Sequence, residues 1–224
     1  MIMAGRLSEL RFVRRSVCVF FALMFSTSLV FADHQYHQHN DHSSRQQPWV
    51  STYLAVGLGY GGDEVGKFTD SDGYSESIRS GGGFLLEGGL NLAVDSLTSL
   101  RLSGGYQIDG ATRGNGSSVF DRLRFDLSLL RSFGAHEFGA GLTAHTSVGF
   151  SCDINSICQG DVDFNHAVGY TFEYALRAVG PGWGDFGRGV RLGIRYTGID
   201  YTSRLVDSET FDGDTLTGFV GVVF

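Results

Sequence analysis

The sequence predicts an all-β fold: eight antiparallel strands taken in chain order and closed as an up-and-down transmembrane barrel. Three observations predict it. From Trp49 onward, apolar and polar residues alternate with the period of two that marks strands, and the helical period is absent. The alternating segments are each about 9–11 residues long, the length a tilted strand needs to cross a bilayer. The connections between them are short and long in turn.

Composition narrows the alternatives. The chain of 224 residues holds 33 glycines, 18 phenylalanines, 9 tyrosines and a single lysine, Lys67. Charged residues make up 18%, too few for an acidic disordered chain or a coiled coil. The formal charge of -7 argues against nucleic acid as a partner, because phosphate binding needs a basic face.

Residues 1–32 read as a secretory signal peptide. Arg6, Arg11, Arg14 and Arg15 precede an apolar run from Ser16 to Phe31, and cleavage is expected after Ala32. Cys18 sits at the start of that run, so it is not placed as a lipoprotein cysteine. Residues 33–48 are expected to form a polar, flexible tether, carrying His34, His37, His39 and His42. Imidazoles at this density are candidate ligands for Zn²⁺, Cu²⁺ or Ni²⁺, though they serve equally as a solubilising spacer.

The barrel is expected over 49–224. Its first strand sets Val50, Leu54, Val56, Leu58 and Tyr60 against Ser51, Tyr53, Ala55, Gly57 and Gly59. The second sets Phe84, Leu86, Leu90 and Leu92 against Glu87, Gly89 and Asn91, and the third Leu100, Leu102, Tyr106 and Ile108 against Arg101, Ser103 and Gln107. In the fourth, Leu123, Phe125, Leu127 and Leu129 oppose Arg122, Arg124, Asp126 and Ser128. The fifth places Phe138, Ala140, Leu142, Ala144, Val148 and Phe150 on one face, with Glu137, Thr143, His145 and Ser147 on the other. Val168, Tyr170, Phe172, Tyr174 and Leu176 oppose Thr171, Glu173 and Arg177 in the sixth. Val190, Leu192, Ile194 and Tyr196 oppose Arg191, Arg195 and Thr197 in the seventh, and Leu216, Val220, Val222 and Phe224 complete the eighth.

A soluble sandwich also has one apolar and one polar face. Loops and aromatics favour the membrane. Asp95-Ser96, Phe133-Gly134 and 180–184 are tight turns, whereas 61–80, 109–118, 151–163 and 202–214 are long and polar. Three of the long loops each carry three more acids than bases. Aromatics gather at both ends: Tyr60, Phe84, Tyr106, Phe120, Phe150 and Phe164 by the long loops, and Trp49, Phe133, Phe138, Trp183, Phe186 and Phe224 by the short turns. Paired girdles of this kind are what two membrane interfaces select.

With this strand count, loop asymmetry and terminal phenylalanine, residues 49–224 resemble the small eight-stranded outer-membrane β-barrels of the OmpA transmembrane-domain type. The ending from Thr217 to Phe224 is similar to their C-terminal assembly signal, with Val222 and Phe224 as its apolar positions and Phe219 where glycine is common. The resemblance implies a bacterial outer-membrane location with both termini periplasmic. It implies as partners outer-membrane lipid and lipopolysaccharide, the barrel assembly machinery, and an extracellular partner at the loops. It implies no cofactor. Such barrels include adhesins, channels, enzymes and structural proteins, so the fold does not choose a function.

The polar face supplies the candidate site. Glu87, Arg101, Arg122, Arg124, Asp126, Glu137, Glu173, Arg177, Arg191 and Arg195 point inward by phase. An eight-stranded barrel is only wide enough for side chains to fill it, so a salt-bridged plug is expected; a narrow, slightly cationic channel is the alternative. Cys152 and Cys158 are expected to form a disulfide in an oxidising compartment. His145-Thr146-Ser147 carries the spacing seen in PagL-type lipid A deacylases, but phase turns both His145 and Ser147 inward, away from lipid. A non-enzymatic structural or surface-interaction role is therefore expected.

Overall fold

The computed structural model describes residues 49–69, 75–113, 116–154, 158–178, 189–204 and 209–224. The expected signal peptide, the expected tether with His34, His37, His39 and His42, and Trp183 and Phe186 lie outside them.

Among the described residues the strands are β1 (Val50–Gly61), β2 (Glu64–Thr69), β3 (Ser75–Arg79), β4 (Gly83–Ala93), β5 (Thr98–Arg113), β6 (Gly116–Phe133) and β7 (His136–Ile154). They continue with β8 (Cys158–Asp163), β9 (Ala167–Ala178), β10 (Gly189–Gly198), β11 (Asp200–Thr202), β12 (Thr210–Asp212) and β13 (Thr215–Val223). Eight of them form the barrel in the order β1, β4, β5, β6, β7, β9, β10, β13, each antiparallel to the next. Pairing of β1 with β13, from Tyr53 opposite Val223 to Gly61 opposite Thr215, closes the ring. Phe224 and Thr52 exchange backbone hydrogen bonds of 3.0 and 3.3 Å, so the last residue seals the seam. Closure leaves no barrel strand with an unpaired edge, the condition for β-structure in a hydrocarbon environment.

The short turns follow local chemistry. Gly134, at φ +62°, opens the two-residue link between β6 and β7, a conformation that favours glycine. Between β4 and β5, Asp95 Oδ1 accepts the N–H groups of Leu97 at 2.7 Å and Thr98 at 2.8 Å.

At the other end the structure corrects the expectation of long loops at 109–118 and 151–163. β5 and β6 stay paired out to Arg113 and Gly116, and β7 pairs with β8 from Gly149 to Ile154. β6 and β7 run to 18 and 19 residues, well beyond what a bilayer crossing needs. Hairpin β2–β3 lies within the connection at 61–80, and hairpin β11–β12 starts just ahead of the one at 202–214.

The fifth predicted strand changes phase part-way. Between Asp121–Gly149 and Leu123–Thr146, β7 carries one more residue than β6, and Ser147 there adopts φ +50°. This is a β-bulge. Beyond it the alternation inverts: His145 and Val148 are buried, while Ser147 is exposed. Val148 was expected to face lipid and Ser147 the interior; the extra residue exchanges them.

Candidate functional site: a charged barrel interior

Period-two alternation delivers polar side chains to the interior from every barrel strand. Glu87 comes from β4, Arg101 from β5, Arg122, Arg124 and Asp126 from β6, Glu137 from β7, Glu173 from β9, and Arg191 and Arg195 from β10; all are buried. Arg177, nearer the short turns, donates to the Ser132 hydroxyl at 3.3 Å.

Glu173 is the hub. Its Oε1 accepts from Arg101 Nη1 at 2.9 Å and from Arg191 Nη2 at 2.8 Å. Its Oε2 accepts from Arg195 Nε at 2.9 Å and Nη2 at 2.7 Å. Arg195 reaches on to Glu87 through both terminal nitrogens and lies 3.7 Å from Asp126. Asp126 is held by a fork from Arg124, at 3.0 and 3.1 Å. Glu137 pairs with Arg191 and lies 3.6 Å from Arg101, whose Nε donates to Asn91 at 2.8 Å. Forked, charge-assisted bonds of this kind offset the desolvation that an isolated buried charge would suffer.

An apolar wall completes this layer. Tyr53 and Ala55 of β1, Phe219 and Val223 of β13 and Ala175 of β9 form one buried cluster. The Tyr53 ring centre lies 4.0 Å from the Arg101 guanidinium carbon and 5.4 Å from that of Arg191. Phe219 lies under Arg191 and Arg195, at 5.9 and 5.4 Å. The unusual phenylalanine of the C-terminal segment thus fills the interior, while Val222 and Phe224 take the outward phase.

Toward the long loops the interior becomes apolar. Ile78, Ala111, Phe120, Val148, Phe164, Ala167, Ile199 and Tyr201 form the larger buried cluster, with Val65, Phe150, Val162 and Phe211 packed on it. Phe120 meets Phe164 and Tyr201 edge-on, at 5.6 and 5.8 Å. Phe120 and Phe164 are therefore not girdle residues, and Phe150 packs on the same cluster. Phe120 shares its phase with Arg122 on an unbroken strand, whereas Phe150 lies beyond the bulge. Tyr60 and Phe84 do face outward.

His145 lies beneath this cluster, its Nδ1 2.5 Å from the Tyr201 hydroxyl. Ser147 is on the opposite face. The two residues do not form the inward pair the spacing suggested. Arg122 departs from expectation as well: it is inside, but among the described residues its one hydrogen bond is to the Gly82 carbonyl, at 3.4 Å. Tyr201, Gln107 and Asn91 join the interior without having been singled out from the sequence. Asn91 and Gln107 carry the inward phase, but a neutral amide gives no signal of its partner.

The outer face is the reverse of the inner one. Leu58, Leu102, Phe125, Leu127, Leu142, Phe172, Leu192, Ile194 and Val220 are exposed around the ring, while arginines and carboxylates are buried within it. In water that would expose a continuous apolar belt, which soluble domains avoid. It has the architecture of a small outer-membrane β-barrel.

No family model and no curated protein matches the sequence. Solved structures of similar fold include Ail, the attachment invasion locus protein of Yersinia pestis, in complex with the heparin analogue sucrose octasulfate. It is 12% identical, with 78% of this chain and 97% of that one covered at a TM-score of 0.43. Neisserial surface protein A is 13% identical, covering 79% and 98% at 0.44. The outer membrane protein AlkL, solved in DMPC bilayers, is 12% identical, covering 84% and 97% at 0.42. These likenesses concern the fold alone.

Proposed function

We propose that this barrel is a non-enzymatic protein of the bacterial outer membrane, with a plugged lumen and a structural or surface-interaction role. One observation carries the reading. The side chains of Glu87, Arg101, Glu137, Glu173, Arg191 and Arg195 are at most 8% exposed. A conduit wide enough for water would leave such lining groups wet. The apolar cluster above them adds a second obstruction. In planar bilayers the purified protein should give no steady conductance; stable single-channel currents would overturn the plug in favour of a narrow channel.

In this reading the acidic long loops are extracellular and meet a partner with basic character, and both termini are periplasmic. Lipid and lipopolysaccharide surround the belt, and the assembly machinery engages Val222 and Phe224. On whole cells, a membrane-impermeant thiol label should reach Glu209→Cys and not Ser96→Cys; the opposite pattern would reverse the orientation. A Cys152–Cys158 disulfide would pin the β7–β8 hairpin. Cys152 is buried on β7, but the Cys158 side chain lies outside the described residues. Metal capture by His34, His37, His39 and His42 is a separate proposal resting on composition alone, checked by Zn²⁺ titration of wild type against a variant lacking them.

A further inference from the structure

The most deeply buried charges do not pair one for one. Among the described residues five arginines are buried in the barrel (Arg101, Arg122, Arg124, Arg191 and Arg195) against four buried carboxylates (Glu87, Asp126, Glu137 and Glu173). The excess is local. Arg101, Arg191 and Arg195 share Glu87, Glu137 and Glu173, and Arg124 holds Asp126 in its fork. That leaves Arg122.

Arg122 is 0% exposed, and its Nε and Nη1 have no hydrogen-bond partner. Among the described residues no carboxylate is in ion-pair contact with it. The guanidinium carbon lies 5.3 Å from the Phe120 ring centre and 6.0 Å from that of Tyr201, and Nη2 reaches only the Gly82 carbonyl. The half-buried carboxylates of Asp109 and Asp121 act on it electrostatically, but their hydrogen bonds go to other donors: Asp121 accepts from the Tyr106 hydroxyl at 2.6 Å, and Asp109 from the Arg79 N–H at 3.0 Å. Arg191 also has nitrogens without a partner, Nε and Nη1, but its Nη2 bonds two carboxylates, so its charge is met. Cation–π contact alone is weaker than the desolvation of a buried ion.

His145 is the second open group. It stacks on Tyr201 with ring centres 5.8 Å apart, and its buried Nε2 lacks a partner. When the Tyr201 hydroxyl donates to Nδ1, the neutral ring carries its proton on Nε2 and is a donor. Arg122 and His145 therefore flank one tyrosine, each with unmet N–H capacity in an enclosed layer.

We propose that this layer, between the apolar cluster and the Glu173 network, is a binding site for one small monovalent inorganic anion of the halide class. Arg122 Nε and Nη1 hold it, with His145 Nε2 as the supporting donor. One bound anion satisfies the orphaned donors and gives Arg122 the direct counter-ion it lacks. The ion is structural, occluded rather than conducted, and the site is independent of which partner the loops meet.

The test uses the mature barrel refolded in lipid, with chloride varied at constant ionic strength made up with gluconate, which is too bulky for the site. Well above the dissociation constant, each tenfold rise in free chloride multiplies the folded-to-unfolded ratio by about ten. Wild type should respond in this way, and Arg122→Met, which keeps the length without the charge, should not. A flat wild-type response, or the same response in Arg122→Met, overturns the proposal. Should Arg122→Met fail to fold, bromide-grown crystals of wild type decide. An anomalous peak at hydrogen-bond distance from Arg122 supports the site; ordered water there with no anomalous signal overturns it.

Discussion

Arg195 of β10 and Glu87 of β4 meet in a two-pronged ion pair across the barrel, although 108 residues separate them. Their strands share no ladder, because β1 and β13 lie between them. The bond is therefore a strut through the interior, and Glu173, on Arg195's other side, ties it to Arg101 and Arg191.

Glu173→Ala should be among the most damaging single changes. It removes the acceptor shared by three buried guanidinium groups, and breaking such a buried pair costs about 3–5 kcal/mol. Urea unfolding of the barrel in lipid would read this as a fall in midpoint. An unchanged midpoint would mean that water reaches these groups, which is the channel reading.

Two glycines should respond unequally to the same change. A Cβ on Gly193 would stand 2.5 Å from Phe219 Cζ and 2.6 Å from the Tyr174 carbonyl oxygen, whereas one on Gly218 meets nothing within 4 Å. Overpacking should make Gly193→Ala cost about 1–3 kcal/mol. Gly218→Ala should stay within about 0.5 kcal/mol of wild type. Equal effects in the same unfolding assay would show that Phe219 does not occupy the interior.

Acid should act on the β4–β5 turn through Asp95. The Leu97 N–H, helped by Thr98, holds this carboxyl below its ordinary value. A depressed folded-state value means the unfolded chain binds the proton more readily. The turn's contribution is thus complete above the ordinary aspartate value of about 3.9 and disappears as pH falls through the folded one. Asp95→Asn keeps an acceptor but does not titrate there. The stability gap between wild type and Asp95→Asn should narrow as pH drops below about 4. A gap that is constant with pH would remove Asp95 from the acid response.

The strands and their faces were legible in the sequence because alternation is a local property: Glu87, Arg101 and Glu173 each carry the inward phase without reference to any other strand. Unbroken phase also reaches Phe120, two residues before Arg122, and places it inside. Its aromatic character at a strand end suggested an interface instead. The phase itself was lost at Ser147, because a bulge depends on a count against the neighbouring strand, and β7 alone does not reveal that β6 has one residue fewer. Partner choice was equally out of reach. Whether Arg195 meets Glu87 or Arg122 meets no carboxylate depends on the stagger of eight strands around the ring, which sets the height of each side chain inside it. Local alternation determines the side a residue faces; only closure of the ring determines what it meets there.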